Sequence, residues 1–158
     1  MKIDLPPVWL LIALGSAWAL ARMTVAGLGG GATRGAGLVL GLIGLALILW
    51  SMATLRAART PVMPGKVPVR LVTTGPYAVS RNPIYLGMAV ILGAAGLWLG
   101  APFSLLMVPV FMAVISKRFI LPEELRLAEA FGADYEGWKR HTGRWLRLSL
   151  HGGEIPLK

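Results

Sequence analysis

Two stretches of the sequence place charged and aromatic side chains beside long apolar segments. The first, residues 75–87, contains Arg81-Asn82-Pro83, and the second begins at Arg118 and contains Glu123-Glu124. An arginine guanidinium grips carboxylates through two parallel hydrogen bonds, and a carboxylate forms charge-assisted hydrogen bonds with cations and hydroxyls. These residue types therefore suit a site that holds a polar ligand.

Each stretch also has a purely structural interpretation. Asn82 is a favourable N-cap and Pro83 a favourable first helical residue, so the pair can simply start a membrane helix. Glu123 and Glu124 would complement the positive end of a new helix, and Arg118 can extend from a span terminus to the interface. This interpretation explains the residues one by one but not their occurrence together.

Taken together, the motifs resemble those of a known superfamily. Arg81-Asn82-Pro83-x-Tyr85-x-Gly87 resembles the R(H/N)PxYxG signature of the isoprenylcysteine carboxyl methyltransferase and phospholipid methyltransferase superfamily. That superfamily continues with a helical hairpin, an R-I-x-x-E-E motif and FGxxYxxY. The counterparts here are Arg118-Phe119-x-x-x-Glu123-Glu124 and Phe131-Gly132-x-x-Tyr135-x-x-Trp138, and residues 71–77 resemble the LVTxGPY approach.

The chain departs from the superfamily pattern at four positions. Asn82 replaces the commoner His, Phe119 replaces Ile, Pro122 precedes the glutamate pair and Trp138 stands where a second Tyr is common. These differences weaken an assignment to the prenylcysteine branch.

The resemblance implies an integral membrane methyltransferase that uses S-adenosylmethionine. It covers residues 66–147, the expected cofactor-binding region of a single membrane domain of residues 1–158. The resemblance implies that Glu123 holds the cofactor's ammonium or ribose hydroxyls, and that Arg81 or Arg118 holds a carboxylate. The candidate catalytic residues are Arg81, Arg118 and Glu123, and the candidate cofactor-binding residues are Gly75, Tyr77, Asn82, Pro83, Tyr85, Glu123, Glu124 and Tyr135.

The methyl acceptor implied by the resemblance is lipid-like or amphiphilic. A carboxylate acceptor is already nucleophilic and needs an arginine to orient it. An amine acceptor must lose a proton, and a glutamate with a raised pKa would then serve as base. The two motifs contain both arginines and glutamates, so a carboxylate acceptor and an amine acceptor both stay open.

The composition predicts that these motifs are carried by membrane helices. Of 158 residues, 56% are hydrophobic, which is more apolar side chain than a soluble chain of this length can bury. We predict an all-α, polytopic membrane helical bundle of about four transmembrane helices and a C-terminal cytoplasmic helix. The predicted spans are residues 8–28, 35–55, 83–99 and 102–121, followed by a charged helix over 123–138 that can be interrupted at Gly132.

Shorter features complete the predicted architecture. Residues 27–37 read as a flexible turn, and residues 71–74 as a short extended piece before a Gly75-Pro76 turn. The glycines at 37, 41 and 44 allow a neighbouring helix to approach closely.

The distribution of charge predicts the orientation and the partners. Sixteen Lys+Arg against seven Asp+Glu give a net charge of +9. Basic residues concentrate in segment 56–81 and in the tail that ends at Arg147, so both segments and both termini should face the cytoplasm. This distribution is typical of membrane loops and argues against nucleic-acid binding. We therefore expect a protein of the bacterial inner membrane that contacts membrane lipids.

The sequence argues against a metal site and leaves two other functions open. There is no Cys, and the two His, at positions 141 and 151, are too few for a convincing metal cluster. One alternative is an NADPH-dependent membrane reductase of the sterol reductase type, which shares much of this fold. Another is a non-enzymatic membrane protein on the same scaffold, which would not need Arg118, Glu123 and Tyr135 together.

Overall fold

The computed structural model describes residues 4–23, 30–61 and 69–146, and in these ranges the protein is helical without a β-strand. The α-helices are α1 (Pro6–Met23), α2 (Gly31–Ala57), α3 (Pro76–Val79), α4 (Pro83–Trp98), α5 (Met107–Ile115) and α6 (Leu121–His141). A 3₁₀ helix, Pro102–Leu106, precedes α5, and a π-helical turn, Ser116–Ile120, joins α5 to α6. The predicted all-α membrane bundle is confirmed.

Within the described residues, three helical segments are long and apolar enough to cross a membrane: Pro6–Met23, Gly31–Ala57 and Pro102–His141. Helix α4 is apolar but has only 16 residues, so it is the shortest of the four predicted spans. The third segment has 40 residues, about twice the number that spans a bilayer. Its apolar part ends before Lys117, and α6 lies beyond that part.

Glycines bring α2 and α4 into close contact, as the sequence predicted for Gly37 and Gly44. A Cβ atom added at Gly44 would lie 2.8 Å from the Gly87 carbonyl oxygen, and one added at Gly87 would lie 2.6 Å from Ile48 Cγ1. Larger residues cannot fit without separating the helices. This close contact fixes the start of α4, which carries the Asn82-Pro83 motif, against α2.

The predicted hairpin of the last two spans is present. Gly100, with a φ of 65°, turns the chain after α4, and the hydroxyl of buried Ser104 donates to the Ala17 carbonyl at 2.8 Å. The π turn ends at Ile120, two residues before Pro122. In a regular helix the ring of Pro122 would collide with the Arg118 carbonyl. The wider turn lets the helix continue into α6, where the sequence suggested separate helices.

The chain reverses near the end of α6 and returns to the start of α4. Gly132 has a φ of 48° inside α6, which confirms the predicted interruption. After His141 the backbone runs beside the α3–α4 junction, where Ser80 and Gly143 form an isolated parallel bridge and the Arg81 N–H donates to the Gly143 carbonyl at 2.9 Å.

Three local predictions need correction. Residues from Gly31 onward belong to α2, so this part of the expected 27–37 turn is helical; residues 27–29 lie outside the described ranges. Asn82 occupies the N-cap position of α4 but makes no side-chain capping bond. The turn after Gly75 is a short helix, α3, because Pro76 favours the first helical position, and residues 71–74 form no strand.

Candidate active site

A cavity of about 400 Å³ lies where α1 begins, α2 ends and the α3–α4 junction meets α6. This volume falls within the range of about 300–1,000 Å³ that small-molecule sites occupy. The lining divides by chemistry into an apolar wall of aliphatic side chains and a polar wall of charged and phenolic groups. Its lining includes Leu5, Pro6, Pro7, Ile48, Met52, Leu55, Thr60, Arg70, Leu71, Tyr77, Arg81, Asn82, Pro83, Ile84, Tyr85, Met88, Glu123, Glu124, Arg126, Leu127, Tyr135 and Trp138.

Arg81 connects the start of α4 to α6. Its Nη1 donates to the Tyr135 hydroxyl at 3.0 Å, and its Nη2 lies 3.2 Å from Glu124 Oε1. The side chain is only 8% exposed, and the buried Nε has no hydrogen-bond partner. A buried N–H without a partner costs about 1–3 kcal/mol. The bonds to Tyr135 and Glu124 hold the Arg81 guanidinium in place at the cavity wall.

Glu124 is shared by two arginines. Besides Arg81, it accepts a two-point fork from Arg144, with Nε 2.9 Å from Oε1 and Nη2 2.7 Å from Oε2. Hydrogen bonding to Glu124 raises the pKa of Arg144 despite its partial burial. Two positive charges thus neutralise one carboxylate, and the fork fastens the returning chain to α6.

Glu123, the neighbour of Glu124, faces a different environment. Its carboxylate interacts with the Tyr85 hydroxyl and with Arg126. Burial raises the pKa of the Glu123 carboxyl, while Arg126 nearby and the Tyr85 hydrogen bond oppose the rise. Glu123 is therefore a partly desolvated acid on the cavity wall, where it can hold a cation or a hydroxyl, or exchange a proton.

Aromatic side chains frame the polar wall. Tyr135 and Trp138 meet edge to face with their ring centroids 6.0 Å apart, and Trp138 Nε1 donates to the Tyr77 carbonyl at 3.1 Å. Tyr77 is buried, and this burial, with the Glu123 charge, raises the pKa of its phenol. These faces can pack against a flat ring or a cation.

Most of the residues predicted from the sequence line the cavity. They are Tyr77, Arg81, Asn82, Pro83, Tyr85, Glu123, Glu124 and Tyr135. The cavity therefore brings together the two motif stretches, which are far apart in the chain. Asn82 also fastens the returning chain, because its Nδ2 donates to the Arg144 carbonyl at 3.0 Å.

Two predicted residues are not among the lining residues. Arg118 Nη2 pairs with Asp4 Oδ2 at 2.7 Å, and its guanidinium stacks over Trp9 at 4.9 Å. Gly75, with a φ of 60°, starts α3 and faces Thr54 and Trp50 of α2. Both contacts tie neighbouring segments together, so the predicted ligand roles of Arg118 and Gly75 stay predictions.

Sequence reasoning missed several contributors to the site. Arg144 was counted only as one of the tail's basic residues, and nothing local marks it as the partner of Glu124. Arg126 carried a usable signal, because it follows Glu123 by three residues and therefore shares its helix face. No signal in the sequence marks Leu5, Pro6 and Pro7 as residues that line the cavity.

Comparisons with known proteins bear on the family and the fold of the chain. The family model "Phospholipid methyltransferase" matches residues 32–134. An uncharacterized protein of Haemophilus influenzae is 40% identical over 63 residues, which are 40% of this chain and all of that protein.

A solved structure has a similar fold. The eukaryotic intramembrane Ras methyltransferase ICMT (isoprenylcysteine carboxyl methyltransferase) matches with a TM-score of 0.64 at 21% identity. The match covers 94% of this chain and 54% of that one, so the chain spans about half the length of that enzyme. At this identity the likeness establishes the helical membrane fold.

Proposed function

Because the chain belongs to the phospholipid methyltransferase family and is an integral membrane protein, we propose that it transfers a methyl group from S-adenosylmethionine to a lipid-like or amphiphilic acceptor. The observation that carries the proposal is the cavity itself. It joins Arg81, Asn82 and Tyr85 of the first motif to Glu123, Glu124 and Tyr135 of the second.

The residues present fit S-adenosylmethionine. Arg81, a lining residue, offers its guanidinium to a carboxylate or hydroxyl oxygen, and Glu123 offers a carboxylate to an ammonium or to ribose hydroxyls. The rings of Tyr135 and Trp138 can flank adenine or the sulfonium. The polar wall thus carries groups complementary to each part of the cofactor.

When bound, S-adenosylmethionine would supply an electrophilic methyl group for in-line transfer to the acceptor, with S-adenosylhomocysteine as the leaving group. The protein's own contribution is alignment and the exclusion of water. Pro83 and the Arg81–Tyr135 bond fix the polar wall. The aliphatic side chains of Ile48, Met52 and Leu55 belong to the apolar wall, which excludes water.

The apolar wall supports an acceptor with a hydrocarbon portion. Leu5, Ile84 and Met88 line it together with residues of α2, and such a surface favours an acyl or prenyl chain over a polar metabolite. At the reacting end, Arg70 and Arg126 suit an acidic acceptor, and Glu123 suits an amine. The proposal therefore keeps both nucleophile classes.

We further propose that the cavity opens toward the cytoplasm of a bacterium whose inner membrane holds the protein. Arg56 and Arg59 at the end of α2, Arg70 and the basic end of α6 lie at the cavity's end of the bundle, as the positive-inside rule expects for that face. We keep residues 66–147 as the cofactor-binding region of a single domain 1–158, and the lining from α1 and α2 extends the site beyond that region.

The test is calorimetric titration of the purified protein in detergent with S-adenosylhomocysteine and, separately, with NADPH. We expect binding of the first and none of the second. Transfer of label from S-adenosylmethionine into extractable lipid then tests catalysis without assuming an acceptor. Binding of NADPH alone would instead support the reductase alternative, and binding of neither would favour a non-enzymatic role.

A matched pair of variants locates the binding. Glu123→Gln should weaken S-adenosylhomocysteine binding by about 1–3 kcal/mol, because a charge-assisted hydrogen bond is lost. Glu129→Gln removes the same charge from an exposed position of α6 and should leave affinity unchanged. If the two variants bound with equal affinity, Glu123 would only complement the positive end of α6 and would not hold the ligand.

A further inference from the structure

Arg144 and Arg81 compete for the same carboxylate. The Arg144 fork occupies both oxygens of Glu124, at 2.9 and 2.7 Å. Arg81 reaches Glu124 only through Nη2, at 3.2 Å from an oxygen that Arg144 already holds. A guanidinium and a carboxylate prefer the two-point arrangement, and here Arg144 holds that arrangement while Arg81 makes a single contact.

The single contact leaves the Arg81 guanidinium turned toward its other neighbours. Nη1 donates to Tyr135 at 3.0 Å, and the buried Nε keeps its hydrogen without a protein partner. If Arg81 formed the fork with Glu124 through Nε and Nη2, as Arg144 does, its Nε would donate to Glu124. With Arg144 in the fork, Arg81 keeps its bond to Tyr135 and only one contact with Glu124.

We propose that Arg144 is a positioning residue that occupies the two-oxygen face of Glu124 and so holds the Arg81 guanidinium, bonded to Tyr135, at the cavity wall where the ligand is expected. The inference rests on the proposed function, since the ligand is the one expected in that cavity. Arg144 is not among the residues that line the cavity, and its side chain is 38% exposed, against 8% for Arg81. Its effect on the ligand therefore passes through Glu124 and Arg81.

The backbone around Arg144 also helps to hold Arg81 in position. The Gly143 carbonyl accepts from the Arg81 N–H, and the Arg144 carbonyl accepts from Asn82 Nδ2 at 3.0 Å and from Ser80 Oγ at 3.4 Å. The Arg144 fork fastens this segment to α6. Loss of the fork would loosen the bonds that orient the backbone at Arg81 as well as free its side chain to turn.

The substitution that tests this is Arg144→Gln, with Arg144→Lys as a milder form. Gln cannot form a charged fork, and Lys keeps the charge but occupies only one point. We expect the dissociation constant for S-adenosylhomocysteine to rise about tenfold in Arg144→Gln and less in Arg144→Lys. The KM for the acceptor should not change. Arg140→Gln, an exposed charge of the same tail, should bind like the wild type.

The route through Glu124 is tested by a double-mutant cycle. In a Glu124→Gln background there is no carboxylate for the two arginines to share, so Arg144→Gln should have little further effect on affinity. Hydrogen exchange of the ligand-free protein adds a readout that needs no activity. The amides of Arg81 and Thr142 should exchange faster in Arg144→Gln, whereas Arg140→Gln should match the wild type.

The outcomes separate this inference from the proposed function. Wild-type protein that does not bind S-adenosylhomocysteine would overturn both. Normal wild-type binding that Arg144→Gln leaves unchanged would overturn the positioning role alone. So would additive losses in the double-mutant cycle. If Arg144→Gln fails to fold, the Arg144→Lys variant decides by the same criterion.

Discussion

Arg81 and Arg118 were equivalent candidates in the sequence, and their exchange for lysine should now give different results. In Arg81→Lys the ammonium can still face Glu124, but the bond to the Tyr135 hydroxyl is lost. A hydrogen bond from a charged donor contributes about 1.5–3 kcal/mol, and Tyr135 is only 1% exposed, so water cannot readily replace the donor. We expect a stability loss of about 1–3 kcal/mol and at least a tenfold fall in methyl transfer, about 1.4 kcal/mol at the barrier.

The Arg118→Lys variant is the matched control. The Arg118 and Asp4 side chains are 49% and 39% exposed, and exposed ion pairs of this kind contribute about 0.2–1 kcal/mol. Stacking on Trp9 adds about 0.5–1 kcal/mol, and a lysine keeps part of both interactions. We therefore expect less than about 1 kcal/mol of lost stability and a change in transfer below about threefold.

The assay measures label transfer from S-adenosylmethionine into lipid at a temperature well below the melting point of every variant. Melting curves in the same detergent separate lost folding from lost chemistry. Asp4→Asn should reproduce the Arg118→Lys result, because it removes the partner of the same pair. A tenfold or larger loss of transfer in a fully folded Arg118→Lys would refute the reasoning and restore Arg118 to the site. So would an Arg81→Lys variant with wild-type turnover.

Two further predictions concern the scaffold. Gly87→Val should lower stability by at least about 1–3 kcal/mol, because its side chain would meet the backbone of α2, whereas Gly93→Ala, whose Cβ would lie 3.7 Å from its nearest neighbour, should melt like the wild type. Equal melting of the two would contradict the close α2–α4 contact. Single cysteines at exposed Ala57 and Phe103 of this Cys-free chain should be labelled from opposite faces of the membrane, and labelling from one face would contradict the four-span topology.

The sequence predicted those features that a local pattern determines. Apolar length predicted the helices, and Gly100 before Pro102 predicted the hairpin. Small residues at 37 and 44 predicted the contact between α2 and α4. The continuity of α5 and α6 was not predicted, because Pro122 ordinarily ends a helix and the π turn that accommodates it has no sequence signature.

The site was predicted as a set of residues but not as a network. Each motif is short enough to recognise, so most of its members line the cavity. The Glu124–Arg144 fork joins residues separated by 20 positions, and the bond from Asn82 to the Arg144 carbonyl joins residues separated by 62. Such pairs depend on how the chain reverses after α6, and residue spacing carries no information about that path.

The adjacent glutamates illustrate how one motif can serve two purposes. Consecutive residues of a helix point about 100° apart, so Glu123 and Glu124 cannot share an environment. Glu124 is held by Arg81 and Arg144 and joins the ends of the site, while Glu123 meets Tyr85 and Arg126 on the cavity wall. Among the described lining residues these are the two carboxylates. Since two arginines already neutralise Glu124, a cationic part of a ligand should select Glu123. We therefore expect Glu123 to determine the affinity for the ligand and Glu124 to determine the geometry in which Arg81 is presented.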